Sequence, residues 1–228
     1  GTREYKHTYT VDRSVKVVGI IVITSDRGLS GGLNINVLKL LMKLVATYSS
    51  KGIKIYFFVI GKKAISFLER YGYNIVSKKI GVGDNPTLHD VLGVVHTALT
   101  MFDKGLLDSI QLIYNEFVNT MLQKPTVKQL IPIHHVVHNE TITKWDYIYE
   151  QDAKELLDKL LLRYVESMFY HGIIENIASE QAARMVAMKS ATDNAGELIN
   201  EFKLVYNKAR QSAITQELSE IVSGADAV

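Results

Sequence analysis

The sequence contains no cysteine, which removes disulfides, thiolate metal sites and cysteine nucleophiles together. It has three prolines, Pro86, Pro125 and Pro132, so everything beyond position 132 is free of the strongest helix breaker. Long apolar runs are missing too. The best, Val15 to Ile23, holds nine residues and is interrupted by Lys16 and Gly19, where a membrane helix needs roughly 20. An excess of one charge is also lacking, since 26 Lys and Arg stand against 24 Asp and Glu, and a net +2 gives no reason to expect nucleic acid. The opening GTREYKHTYT has no apolar core of the kind a signal peptide carries. A cytoplasmic compartment is the expectation.

What is present is ordinary globular usage, 47% hydrophobic and 22% charged over 228 residues, a length that suits one or two domains. Its distribution is uneven. Residues 1–150 sum to +6 and 151–228 to −4, and 12 of the 15 glycines precede position 150, with Gly172, Gly196 and Gly224 beyond it. This places a boundary near 150, between an α/β domain at 1–150 and a helical part at 151–228.

The first part alternates short β-branched runs with helical spacing. VKVVGIIVITS at 15–25, IKIYFFVI at 53–60 and the segment 73–78 read as strands; Leu33 to Val45, residues 62–70 and Leu88 to Phe102 read as helices, the last capped by Thr87. IQLIYNEF at 110–117 and VKQLIPIHHVV at 127–137 follow without a helix between them, so the last strand should lie antiparallel at an edge, where Pro132 is tolerated. The expected fold is α/β: a mostly parallel, Rossmann-like sheet of about five strands with flanking helices.

From Asp152 to Val222 strong helix formers dominate, and a continuous helix of that length would reach on the order of 100 Å. Met185, Met188, Thr192, Ala195, Ile199, Phe202, Tyr206, Ala209 and Ala213 step by threes and fours, a sustained coiled-coil seam. No second long helix in the chain supplies its partner.

Three clusters carry possible chemistry. SDRGLSGGLN at 25–34 sets Gly28, Gly31 and Gly32 between a strand and a helix, where backbone amides could hold a phosphate, yet neither GxGxxG nor GxxxxGK[ST] is present. A tight turn or contact loop is the competing reading. His134, His135 and His138 with Glu140 could ligate zinc only if they converged, and adjacent strand residues point to opposite faces. Trp145-Asp146-Tyr147-Ile148-Tyr149-Glu150 could be a binding patch or an anchor for the following helix. Nothing encodes a catalytic set: there is no nucleophile elbow, no HExxH and no framed carboxylate pair. Pattern alone therefore leaves open a free-standing nucleotide-binding α/β protein and a coiled-coil adaptor dimerising through 178–222.

Two segments go further. SDRGLSGGLNIN at 25–36 and the whole stretch from ENIASEQAARMVAMKSATDN at 175 to the end closely resemble the gamma subunit of bacterial F-type ATP synthases, and GVGDNPTL, FVNTMLQKPTVKQLIPI, WDYIYEQD and RYVESMFYHGIIEN match in the same order. The resemblance implies a central-stalk rotor without catalytic residues, cofactor or metal, peripheral to the cytoplasmic face of the bacterial plasma membrane, coupling proton flow to ATP synthesis or hydrolysis. It implies alpha, beta and epsilon subunits and the c ring as partners. Carried over by position, Arg184, Gln211, Thr215 and Glu217 would contact beta, while Ser30, Trp145, Asp146, Tyr147, Tyr149 and Glu150 would approach epsilon and the c ring. Two departures stand out. Family members begin with a long helix that pairs antiparallel with the last one, which makes the last helix half of an antiparallel coiled coil, whereas this sequence starts almost at the first strand, and the family often has cysteine where Ser30 stands.

Overall fold

In a computed structural model, residues 7–133 and 153–225 are described. Five strands form one sheet: β1 (Val17–Ile23), β2 (Lys54–Ile60), β3 (Ile75–Lys79), β4 (Ser109–Phe117) and β5 (Gln123–Ile131), in the order β3-β2-β1-β4-β5. The pairs β1–β2, β1–β4 and β2–β3 are parallel and β4–β5 is antiparallel. The helices are α1 (Leu33–Ser50), α2 (Lys62–Arg70), α3 (Leu88–Asp103) and α4 (Ala153–Ala225).

Alternation along β1 divides the core. Val18, Ile20 and Val22 face α1 and α2, packing with Val37, Leu41, Phe57 and Leu68; Ile21 and Ile23 face the other side, with Phe58, Val95, Phe102 and Leu112. That second face is closed by α3 and by the first half of α4, whose Leu161, Val165, Phe169 and Ile173 recur every fourth residue and are all buried. At Gly172 a Cβ would come within 2.6 Å of Leu112 Cδ2, so the missing side chain lets α4 lie against β4. The start of β1 is fixed by Asp108, whose Oδ2 accepts from the amides of Lys16 and Val17, both at 2.9 Å. Thr87 caps α3 as its sequence predicts. The amide and hydroxyl of Thr87 both donate to Asp90, holding that carboxyl below the usual carboxylate range.

The edge strand is antiparallel, as expected, but begins earlier than 127. It runs Gln123–Ile131 because a short turn closes directly after Phe117, where Asn119 Oδ1 accepts from the amides of Met121 and Leu122, both at 2.9 Å. Pro125, opposite Asn115, is the proline of the edge strand, and Pro132 follows the strand through a cis peptide bond.

By internal packing the chain divides into two units, Gly1–Arg184 and Met185–Val228. In the second, α4 continues without interruption to Ala225, and every residue from 188 to 225 is exposed.

Candidate functional site

In an open α/β sheet, ligands collect beyond the carboxyl ends of the strands, next to where the strand order reverses. In this sheet the order reverses between β1 and β4, and next to that point, beyond the ends of β1, β2 and β3, lie the turn after β1, the start of α2 and the loop after β3. The polar groups there are already engaged. Thr24 Oγ1 accepts from Ala64 N at 3.0 Å and donates to Ile60 O at 3.3 Å. Next to it Gly61 has φ of 98°, and a Cβ would lie 2.1 Å from Thr24 O, so glycine is obligatory. Ser25 N donates to Asn34 Oδ1 at 3.0 Å, and Asn34 Nδ2 donates to Ser25 Oγ at 2.7 Å.

Asp26 ties the turn after β1 to two other segments. Its Oδ1 accepts from Lys62 N, the first residue of α2, and its Oδ2 accepts from Gly81 N, each at 2.8 Å. At α2 the first helix amide, a group that can receive an anion, is occupied by a carboxylate of the chain itself. The glycine-rich turn is thus a fitted junction closed by Asp26 and Asn34.

Over this junction lies α4. Gln181 Nε2 donates to Asp84 Oδ1 at 2.9 Å, and Arg27 Nη1 stands 3.8 Å from Asp84 Oδ2. Arg184 pairs with Glu180 one turn earlier and reaches Gly28 O at 3.5 Å. Further back, Asn176 Oδ1 accepts from the amide and side chain of Asn115, at 3.2 and 2.9 Å, Ser179 Oγ donates to Asn115 O at 3.1 Å, and Glu175 Oε2 accepts from Phe117 N at 2.7 Å. Under the helix remains a crevice of about 300 Å³, lined among others by Ile60, Val82, Asp84, Asn176 and Glu180. The sequence reading missed it. Its signals were the acid directly after the first strand and the GVGDNP loop, both visible but uninformative until α4 was placed above them.

Arg184 is tied to Glu180 and the turn at Gly28; Gln211, Thr215 and Glu217 lie exposed on α4. Ser30 is buried at 3% exposure, its hydroxyl accepting from Asn34 Nδ2 at 3.4 Å. Trp145, Asp146, Tyr147, Tyr149 and Glu150, like His134, His135, His138 and Glu140, fall outside the described residues. Among the described residues no group of three or more His, Asp or Glu is placed to hold a metal ion, and no helix is long and apolar enough to cross a membrane. Within the second unit the seam is there in full: Met185, Met188, Ile199, Phe202 and Tyr206 are each at least 45% exposed.

Over residues 1–228 the sequence matches the family described as ATP synthase. The chain belongs to the ATP synthase gamma-subunit family. As a gamma-family chain it shares its fold with chains of solved ATP synthase assemblies. One is a chain from the Tetrahymena thermophila mitochondrial ATP synthase central stalk and c ring, 21% identical, covering 82% of this chain and 83% of its own, with a TM-score of 0.65. Two come from the Euglena gracilis mitochondrial ATP synthase. The chain from the OSCP, F1 and c-ring assembly is 20% identical over 100% of this chain and 80% of its own, with a TM-score of 0.67. The one from the rotor is 18% identical over 93% and 80%, with a TM-score of 0.64. At such identity the likeness is one of fold, and it extends through the sheet and the long helix of this family member.

Proposed function

We propose that this gamma-family chain is the central-stalk rotor of a bacterial F-type ATP synthase, a non-catalytic subunit that couples proton flow through the c ring to conformational change in the catalytic beta subunits. The observation that carries this reading is the stretch of α4 from Met188 to Ala225, exposed at every residue although it bears Ile199, Phe202 and Tyr206. A helix built this way serves as a surface for other chains. Its partners are alpha, beta, epsilon and the c ring, and its place is the cytoplasmic face of the bacterial plasma membrane, peripheral to the bilayer.

Polar contacts to beta are assigned to Arg184, Gln211, Thr215 and Glu217, and contacts to epsilon and the c ring to the segment 145–150 and to the turn around Ser30, whose own side chain is buried. Each hydrogen bond to a charged partner is worth roughly 1.5–3 kcal/mol, enough to alter assembly or turnover. The test is copurification of the full chain with alpha and beta subunits, followed by coupled synthesis in reconstituted enzyme. A Gln211→Leu, Thr215→Ala pair should lower synthesis while the isolated chain keeps its helix content; Arg184→Ala should add to the loss. Failure to copurify with beta overturns the rotor reading. Normal synthesis with all three changes overturns the residue assignments.

A further inference from the structure

At its carboxyl end β4 outruns β1. The parallel pairing of the two strands stops at Val22 and Ile113, and Asn115 and Phe117 follow on β4 in steps of two, so they turn their backbone groups to the same edge as Ile113. On the other side β5 sets Pro125 opposite Asn115, and a proline has no amide to give. The groups left over are taken by α4. The amides of Asn115 and Phe117 donate to Asn176 Oδ1 and Glu175 Oε2, at 3.2 and 2.7 Å, and the carbonyl of Asn115 accepts from Ser179 Oγ at 3.1 Å. Side chains of a helix thus stand where the next strand would be.

Two further observations show what this arrangement selects. Asn115, Asn176 and Ser179 are all buried, and Asn115 Oδ1 has no partner among the described residues, a cost that an apolar contact of the same shape would not carry. Stability alone therefore does not account for the network. The apolar part of the same interface leaves the axial position of α4 open, since Leu161, Val165, Phe169 and Ile173 recur every fourth residue and a slip of one turn sets aliphatic upon aliphatic again. The polar part does not. A slip one way puts Met168 into the place of Gly172, where even a Cβ would lie 2.6 Å from Leu112 Cδ2, and puts Gly172 where Asn176 accepts. A slip the other way brings Asn176 against Leu112 and puts Ala183 in the place of Ser179, which ends the bond to Asn115 O.

We propose that Glu175, Asn176 and Ser179 are positioning residues: they hold α4 in a single axial register on β4, so that load passing between the sheet and the helix during coupled turnover does not slide one along the other. The register stands on the geometry of unit 1 alone, while the load-bearing role rests on the rotor reading. Apolar packing resists separation but is nearly indifferent to sliding, because it has no direction. Hydrogen bonds weaken steeply once donor and acceptor lose their alignment, so these bonds oppose displacement along the strand.

The experiment has two arms. In the first, NMR follows amide exchange in the isotopically labelled full chain, with the amides of β1 as the internal reference. Relative to them, exchange should quicken roughly tenfold at Asn115 in Asn176→Ala and at Phe117 in Glu175→Ala. It should keep its original rate in Glu175→Gln, whose side-chain oxygen still accepts from Phe117 N. Val165→Ala removes packing from the same helix and none of these bonds, so it should move neither amide relative to β1. In the second arm, reconstituted enzyme is assayed for protons pumped per ATP hydrolysed. The ratio should fall in Glu175→Ala and in the Asn176→Ala, Ser179→Ala pair while hydrolysis continues, and hold in Glu175→Gln and Val165→Ala. Unmoved exchange at Asn115 and Phe117 overturns the register. A ratio unchanged by the pair, or lowered equally by Val165→Ala, overturns the load-bearing role and leaves the rotor reading standing. Failure of the unsubstituted chain to assemble with beta overturns the rotor reading and the load-bearing role with it, and the first arm still decides the register.

Discussion

Tyr9 shows how a single side chain ties chain segments far apart in sequence. It is buried beside Phe102, its backbone oxygen accepts from Ile133 N at 2.7 Å, and its hydroxyl donates to Asp103 Oδ2 at 3.3 Å. Burial, and after it the negative charge of Asp103, push the phenol well above its ordinary value near 10. The sign follows: the neutral phenol is the form the fold accepts, so this contribution to stability is complete below about pH 10 and is lost as pH rises beyond it, while the unfolded chain ionises freely. Tyr48 and Tyr114 are raised by burial in the same direction. Denaturant melts between pH 8 and 11 should therefore show stability falling above pH 10. Tyr9→Phe should flatten part of that fall, while costing on the order of 1 kcal/mol at neutral pH for the lost hydrogen bond. An alkaline limb unchanged by Tyr9→Phe would mean that another group governs it.

Among the elements, the two interior glycines of α4 make opposite demands. At Gly172 an added Cβ would lie 2.6 Å from Cδ2 of Leu112, a fully buried side chain. At Gly196 nothing lies within 4 Å. Alanine is the better helix former by about 1 kcal/mol, so Gly196→Ala should raise helix content and stability by about that amount. Gly172→Ala should destabilise, because overpacking of roughly 1–3 kcal/mol exceeds the same propensity gain. Thermal melts followed by circular dichroism decide, and stabilisation by both changes would refute the close approach of α4 to β4. The sequence made the order of strands and helices legible because their periods differ, and Thr87 and the antiparallel edge because capping and the missing crossover are local signals. It did not reveal the start of β5, since Asn119 closes the hairpin through hydrogen bonds that composition does not encode. Nor did it reveal the crevice, whose lining comes from residues near 24, 61, 82 and 176 that meet only once α4 lies on the sheet. The seam was legible throughout, as a period of threes and fours needs no tertiary contact to be read.

For the molecule as a whole, the two units should differ in how they resist opening. Unit 1, Gly1–Arg184, holds both hydrophobic clusters, including the α4 residues Leu161, Val165, Phe169 and Ile173. Among the described residues these clusters draw on α4 no further than Ile177. Unit 2, Met185–Val228, has a single helix whose residues from 188 to 225 are all exposed, and a lone helix in water gains little from its backbone hydrogen bonds. Its apolar side chains, Ile199, Phe202, Leu204 and Tyr206 among them, would each contribute about 1.5–3 kcal/mol if covered. In dilute solution the free chain should therefore exchange backbone amides slowly in β1, β2, β4 and α3 and rapidly from 188 to 222, and a chain ending at Arg184 should keep the full stability of unit 1. Raising the protein concentration should slow exchange in 188–222 only as self-association appears by sedimentation. Assembly with alpha and beta subunits should slow it without self-association, because the stripe is then covered by other chains. Uniformly slow exchange from 188 to 222 in a proven monomer would mean that the stripe is satisfied within this chain, and both the exposed helix and the rotor reading built on it would fall together.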